Sequence, residues 1–334
     1  MLKSYLLSLA LLASGCALSP AHSQPHTSPP TCSLPEADRE WIDRALEAWR
    51  FAAREITGNV QLPHSQAIFF SADCVLSSEN ALSSTRAGDV RWSASPHAGE
   101  VTLPDGKKIP SGVTSFASGE KGSYYFVMST PSVWEAGGVG QGESLRKTMV
   151  AVLLHESSHI AQIRAYGTRL EALIDRYSLP DSFNDDSLQE RFGKNPEFTA
   201  SIKRETQLFL DAAATKDDAE ARRLAREGLG LVRERQARWL VGDDAYLVEA
   251  EDLWLTFEGA GQWVAYQWLV DPRGGRASRE EEMVRFSGNR WWSQAEGFAV
   301  VMALDRIAGP GWKGHAYGDG AQTVLEMLEA AVRD

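Results

Sequence analysis

The sequence predicts an α+β fold: a small mixed or antiparallel sheet, then an apolar helix, then a mostly α-helical half. Three observations predict it. Short β-rich runs bounded by Gly, Ser and Pro are confined to the first 142 residues, whereas nearly every segment from Glu143 onward has helical periodicity. The segment richest in chemistry, Val150 to Gln162, is an apolar helix at the join between the two parts. The third is composition. With 334 residues, 43% of them hydrophobic and eleven of them Trp, the chain can bury a sizeable core. Its 34 basic against 45 acidic residues, net charge −11, argue against a nucleic-acid partner, which would need clustered Lys and Arg in excess.

Residues 1–15 read as a signal peptide. Lys3 supplies a positive start and Leu6 to Leu12 an apolar run too short to span a bilayer, so the sequence predicts export. The run Ala13-Ser14-Gly15 before Cys16 resembles a bacterial lipobox, in which the Cys is lipidated and becomes the first mature residue. Ala17 after that Cys implies, by the same resemblance, the outer membrane facing the periplasm or the cell surface. Ala21-His22-Ser23 offers a rival cleavage site that would leave a soluble periplasmic or secreted protein. Residues 16–34, rich in Pro, Ser and His, read as a flexible tether, and a lipid at Cys16 is the one membrane attachment expected. In an oxidising compartment the simplest use of the remaining pair, Cys32 and Cys74, is one disulfide, with two buried thiols as the alternative.

Residues 35–142 should form the α+β part. Pro35 to Ile56 has acidic residues early and Trp41, Ala45, Leu46, Trp49 and Ala52 at three- and four-residue spacing, which predicts a helix. Gln66 to Ala72 and Ser123 to Thr130 predict strands, and Pro104-Asp105-Gly106 between alternating runs predicts a hairpin within Glu100 to Pro110. Gly137 to Gly142 reads as a flexible loop at the cleft, since it lacks the Lys-Ser/Thr of a phosphate loop. Residues 143–334 should form the helical part, with helices at Phe198 to Ala213, Asp217 to Leu240, Asp243 to Leu269, Ala295 to Ile307 and Ala321 to Val332. The arginines between Glu220 and Arg238 alternate with acids and predict a solvated face laced with ion pairs.

Within the helix at the join stands His155-Glu156-Ser157-Ser158-His159. Positions four apart share one helix face, so both imidazoles can reach one Zn²⁺, and Glu156 can act as base towards a water at an open ligand position. This run is the HExxH pattern and resembles that of the zincin metallopeptidases. No nearby third His follows, so a downstream Glu is the remaining common third ligand. Two segments compete, Trp254-Leu-Thr-Phe-Glu258-Gly259 and Trp292-Ser-Gln-Ala-Glu296-Gly297. Both resemble the Glu-Gly stretch of the aminopeptidase N family, whose Glu completes a gluzincin zinc site. Glu258, followed by three small residues, is favoured over Glu296. The resemblance covers these motifs only, and roughly one hundred residues separate His159 from Glu258, far more than in thermolysin or the aminopeptidases.

The resemblance implies an exported zinc metallopeptidase acting on a peptide or protein, with His155, His159 and Glu258 holding Zn²⁺ and Glu156 as general base. An edge strand that pairs with extended substrate is also implied, and Ser123 to Thr130 is the candidate; Tyr266, His315 and Tyr317 are candidate donors to the oxyanion. Two alternatives remain open: a surface lipoprotein that binds a partner on an inactive scaffold of this kind, and a zinc amidase acting on a non-protein amide.

Overall fold

The computed structural model describes residues 32–58, 62–120, 123–180, 182–320 and 322–333. The leader, the lipidation candidate Cys16 and most of the tether lie outside the described residues. Helix α1 (Glu36–Phe51), extended by a π-turn over Ala52–Ile56, buries the Trp41, Ala45, Leu46 and Trp49 stripe that its spacing predicts. Its indoles are anchored by hydrogen bonds, Trp41 Nε1 to the Arg146 carbonyl (3.1 Å) and Trp49 Nε1 to the Leu82 carbonyl (2.9 Å). Buried Asp38 accepts from the Ser132 N–H (3.1 Å) and hydroxyl (2.6 Å), which fastens α1 to the first turn of α2 (Pro131–Ala136).

The main sheet holds β1 (Ser65–Phe70), β2 (Cys74–Ser78), β3 (Ser93–Pro96), β6 (Ser115–Glu120) and β7 (Ser123–Ser129), while β4 (Glu100–Thr102) and β5 (Lys108–Pro110) form the expected hairpin, with Val101 opposite Ile109. Strand order is β3-β2-β1-β7-β6, with β1 and β7 parallel and every other pairing antiparallel. Alternation divides the strands between two cores. Ala67, Phe69, Phe126 and Met128 face the main core shared with α1 and the helical half, whereas Ile68, Phe70, Phe116, Tyr125 and Val127 face a smaller cluster with Val101 and Leu103 of the hairpin. Cys32 and Cys74 form a disulfide with 5.5 Å between Cα atoms, tying the chain before α1 to β2.

One expectation is overturned here. Ser123 to Thr130 is not an edge: β7 lies between β1 and β6, and the strand at that margin of the sheet is β6. The Ser-Phe-Ala-Ser-Gly-Glu sequence of β6, largely small and polar residues, carries no strand signal of its own.

Helix α3 (Gly142–Gln162) packs on β6 and β7 with one side and on α8 (Tyr246–Val270) with another. The long spacer between His159 and Glu258 is filled by α4 (Thr168–Tyr177), α5 (Ser187–Phe192), α6 (Pro196–Ala214) and α7 (Asp218–Trp239). Asn195 and Asp217 cap α6 and α7, each side chain accepting two backbone N–H groups. After α9 (Arg279–Ser287), helix α10 (Trp292–Ala308) crosses α8; a short turn, α11 (Trp312–Gly314), and α12 (Val324–Ala331), opened by a Thr323/Glu326 capping box, complete the fold. Helix α8 is apolar and buried on nearly all sides because α3, α4, α9, α10 and α12 surround it. Among the described residues no helix is long and apolar enough to cross a membrane.

Candidate metal centre

His155 and His159 project from one face of α3, and their Nε2 atoms meet at 2.9 Å. Glu258 on α8 reaches them from the opposite side, Oε2 lying 3.3 Å from His155 Nε2 and Oε1 3.5 Å from His159 Nε2. All three side chains are buried, and together they can hold a metal ion. Close approach of the two helices depends on the small residues after Glu258. A Cβ on Gly261 would sit 2.7 Å from His155 Nδ1, and one on Gly259 would sit 2.3 Å from the Gly297 carbonyl oxygen of α10.

The tautomer of His159 follows from its neighbours. Gln162, one turn further along α3, donates from Nε2 to the Thr256 carbonyl (3.2 Å), a group that only accepts. Gln162 Oε1 is therefore the atom 3.0 Å from His159 Nδ1, so Nδ1 carries the proton and donates. Nε2 faces His155 and Glu258 and is the atom that can ligate once it gives up its own proton.

Charge in the pocket favours a cation. Burial works to raise Glu258, but His155 and His159 beside it hold its carboxyl far below the usual carboxylate range. Burial disfavours a charged His159, yet Glu258, with Glu156, lifts it to about 9. Glu156 is also buried; burial pushes its carboxyl up, against the pull of His155 and His159. Its Oε2 accepts from the Ala117 N–H of edge strand β6 at 3.1 Å, which ties the carboxylate to the sheet. Burial and then the Glu258 charge also raise Asp185 and Asp186, in the loop before α5, the latter to about 6.

Glu296 lies elsewhere. It stands in a buried cluster in which Arg235 of α7 pairs with Glu205 of α6 (2.7 Å), Glu251 of α8 (2.8 Å) and, at 3.8 Å, Glu296 of α10. The repeated Glu-Gly motif is thus the crossing point of α8 and α10: Gly259 and Gly297 touch back to back, Glu258 serves the histidines and Glu296 faces Arg235. Arg235 is also an exception to the solvated face expected of α7, whose Arg223 does pair with Glu220 and Glu227 at the surface.

The candidate oxyanion donors have the following partners. Tyr317 Oη donates to the Ala260 carbonyl (2.9 Å), Tyr266 packs edge-on against Phe286 and Phe298, and His315, on a π-turn, accepts through its carbonyl from Tyr166 Oη (3.2 Å). Sequence reasoning passed over Gln162, Ala117 and Asp185. Gln162 was within reach of it, standing three positions after His159 on the same face. A backbone N–H on β6 and a loop carboxylate have no sequence signature. Comparison with protein-family models, curated proteins and solved structures finds no match for this chain.

Proposed function

We propose that the chain is an exported zinc metallopeptidase that hydrolyses peptide bonds. The observation that carries this reading is the convergence of His155 Nε2, His159 Nε2 and the Glu258 carboxylate, with Glu156 of the same helix bound to the sheet edge. The donor set fits the metal. Ligand atoms held tetrahedrally at about 2.0–2.1 Å from zinc stand about 3.3 Å apart, and the observed separations of 2.9, 3.3 and 3.5 Å bracket that distance. Two neutral imidazoles and one carboxylate also form a catalytic rather than a structural zinc set, because three protein ligands leave a position open.

When bound, zinc supplies a Lewis acid that polarises a carbonyl and makes water acidic enough to attack near neutral pH. The residues of the chain do the rest. Glu156 Oε2 is held by Ala117, leaving Oε1 to take the proton of the attacking water and hand it to the amide nitrogen as the C–N bond breaks. Burial raises the affinity of Glu156 for that proton. Gln162 holds His159 in its ligating tautomer. An extended peptide would pair along the outer margin of β6, next to Glu156. The disulfide is compatible with export, and attachment through a lipid on Cys16 belongs to the same proposal.

The test is a peptidase assay on unstructured protein with wild type and Glu156→Gln side by side. Loss of turnover by at least about 100-fold at unchanged zinc content is expected; equal activity of the two proteins would overturn the mechanism.

A further inference from the structure

The faces of α3 and α8 that carry the metal-binding group continue into a cavity of about 170 Å³. Its walls include His155 itself and lie one or two turns from the ligands: Ala151 and Val152 precede His155 on α3, and Gln262 and Ala265 follow Glu258 on α8. Phe286 of α9 completes an apolar lining, and exposed Arg285, its Nε held by Glu282 at 2.6 Å, stands beside it.

Three amides meet at this cavity, and the backbone fixes how each is turned. The Trp291 N–H donates to Asn289 Oδ1 (3.1 Å), so Asn289 presents Nδ2 to Gln294 and donates to its Oε1 (2.6 Å). Gln294 Oε1 accepts a second hydrogen bond from Gln262 Nε2 (2.9 Å). Left over are one acceptor, Gln262 Oε1, and one donor, Gln294 Nε2, neither of which has a hydrogen-bond partner among the described residues. Both side chains line the cavity although they are only 9% and 4% exposed.

We propose that this cavity is a side-chain subsite selecting a carboxamide, so that the substrate class is a peptide with glutamine beside the bond that is cut. The assignment to the cut bond rests on the metallopeptidase reading. A donor and an acceptor left over on two buried side chains that are themselves hydrogen-bonded match a carboxamide, whose oxygen would accept from Gln294 Nε2 while its NH₂ donates to Gln262 Oε1. A carboxylate of the same shape has no proton for Gln262 Oε1, and an aliphatic chain satisfies neither atom; sites built to hydrogen-bond a substrate group reject analogues that lack it. The apolar walls receive the methylenes, and an apolar void of about 150 Å³ holds a benzene-sized group, so a glutamine side chain fits the space.

The probes are butyramide and pentan-2-one, which share a shape but differ in the N–H donors, titrated onto the full-length zinc-loaded protein and followed by NMR. Butyramide should bind at least about tenfold more tightly, and Gln294→Met should erase the difference without changing zinc content. Equal binding, binding of neither, or selectivity that survives Gln294→Met would overturn the subsite. Peptides released from a digested protein mixture should be enriched in glutamine over glutamate and methionine next to the cut. Cleavage without that enrichment would overturn the substrate assignment, while selective butyramide binding without any cleavage would uphold the subsite and remove the peptidase reading.

Discussion

Gln162 shows how much of the centre is decided by single hydrogen bonds. Its amide, oriented by the Thr256 carbonyl, keeps a proton of His159 on Nδ1 and so assigns Nε2 to the metal. Gln162→Ala should therefore weaken zinc affinity by about 10–100-fold without unfolding the chain, an effect that competition with a chromogenic chelator would read. His155 differs, since its Nδ1 is buried with no hydrogen-bond partner among the described residues. The pair is thus asymmetric, one ligand oriented by a side chain and the other by the shape that Gly261 leaves around its ring. At this scale the sequence was informative wherever chemistry needs a spacing. His155 and His159 declare themselves four residues apart with Glu156 between, but Glu258 and Glu296 share the Glu-Gly pattern; the three small residues after Glu258 favour it, and the two leave one helix crossing in opposite directions.

That crossing is the element on which the centre depends. Helices α8 and α10 touch through Gly259 and Gly297, backbone against backbone, with no room for a methyl group on either. Gly259→Ala should cost about 2 kcal/mol or more through overpacking, seen as a lower denaturation midpoint, and should shift Glu258, its immediate neighbour. On the other side of the crossing α6, α7, α8 and α10 bring Glu205, Arg235, Glu251 and Glu296 together in a buried group with more carboxylates than cations. Burial, and after it the Glu205 charge, pushes the Glu296 carboxyl well above its ordinary value. A carboxyl raised on folding supports stability fully below its unfolded value near 4.5 and loses that support as pH rises through the folded value. Glu296→Gln, which mimics the protonated form, should accordingly match wild type near pH 4.5 and become the more stable protein at pH 8. The check is urea denaturation at both pH values; a variant less stable at pH 8 than wild type would contradict this reading.

The whole molecule joins two parts of different legibility. Helices α1, α6, α7, α8 and α10 lie close to where periodicity places them, because each has a long apolar stripe or a capping residue at its start. Strands β1 and β7 were legible as apolar runs, but β2, β3 and β6 were not, since their small and polar residues are held in the sheet by neighbours rather than by preference of their own. The edge expected at β7, the strand just upstream of α3, falls instead on β6, which carries no signal of its own. The disulfide ties the segment before α1 to this sheet, and closing its loop contributes about 4 kcal/mol on a chain-entropy account. Helix α3 is where the parts meet, with Glu156 bonded to the sheet and His155 and His159 turned to α8, so metal binding should report on the docking of one part against the other. The most direct test of the account is the zinc content, by mass spectrometry, of purified full-length wild type, Glu258→Ala and Glu296→Gln. About one zinc per chain in wild type and in Glu296→Gln, with loss in Glu258→Ala, is the result expected; a folded wild type that takes up no zinc after reconstitution at neutral pH, or one that loses zinc equally in both variants, would contradict it.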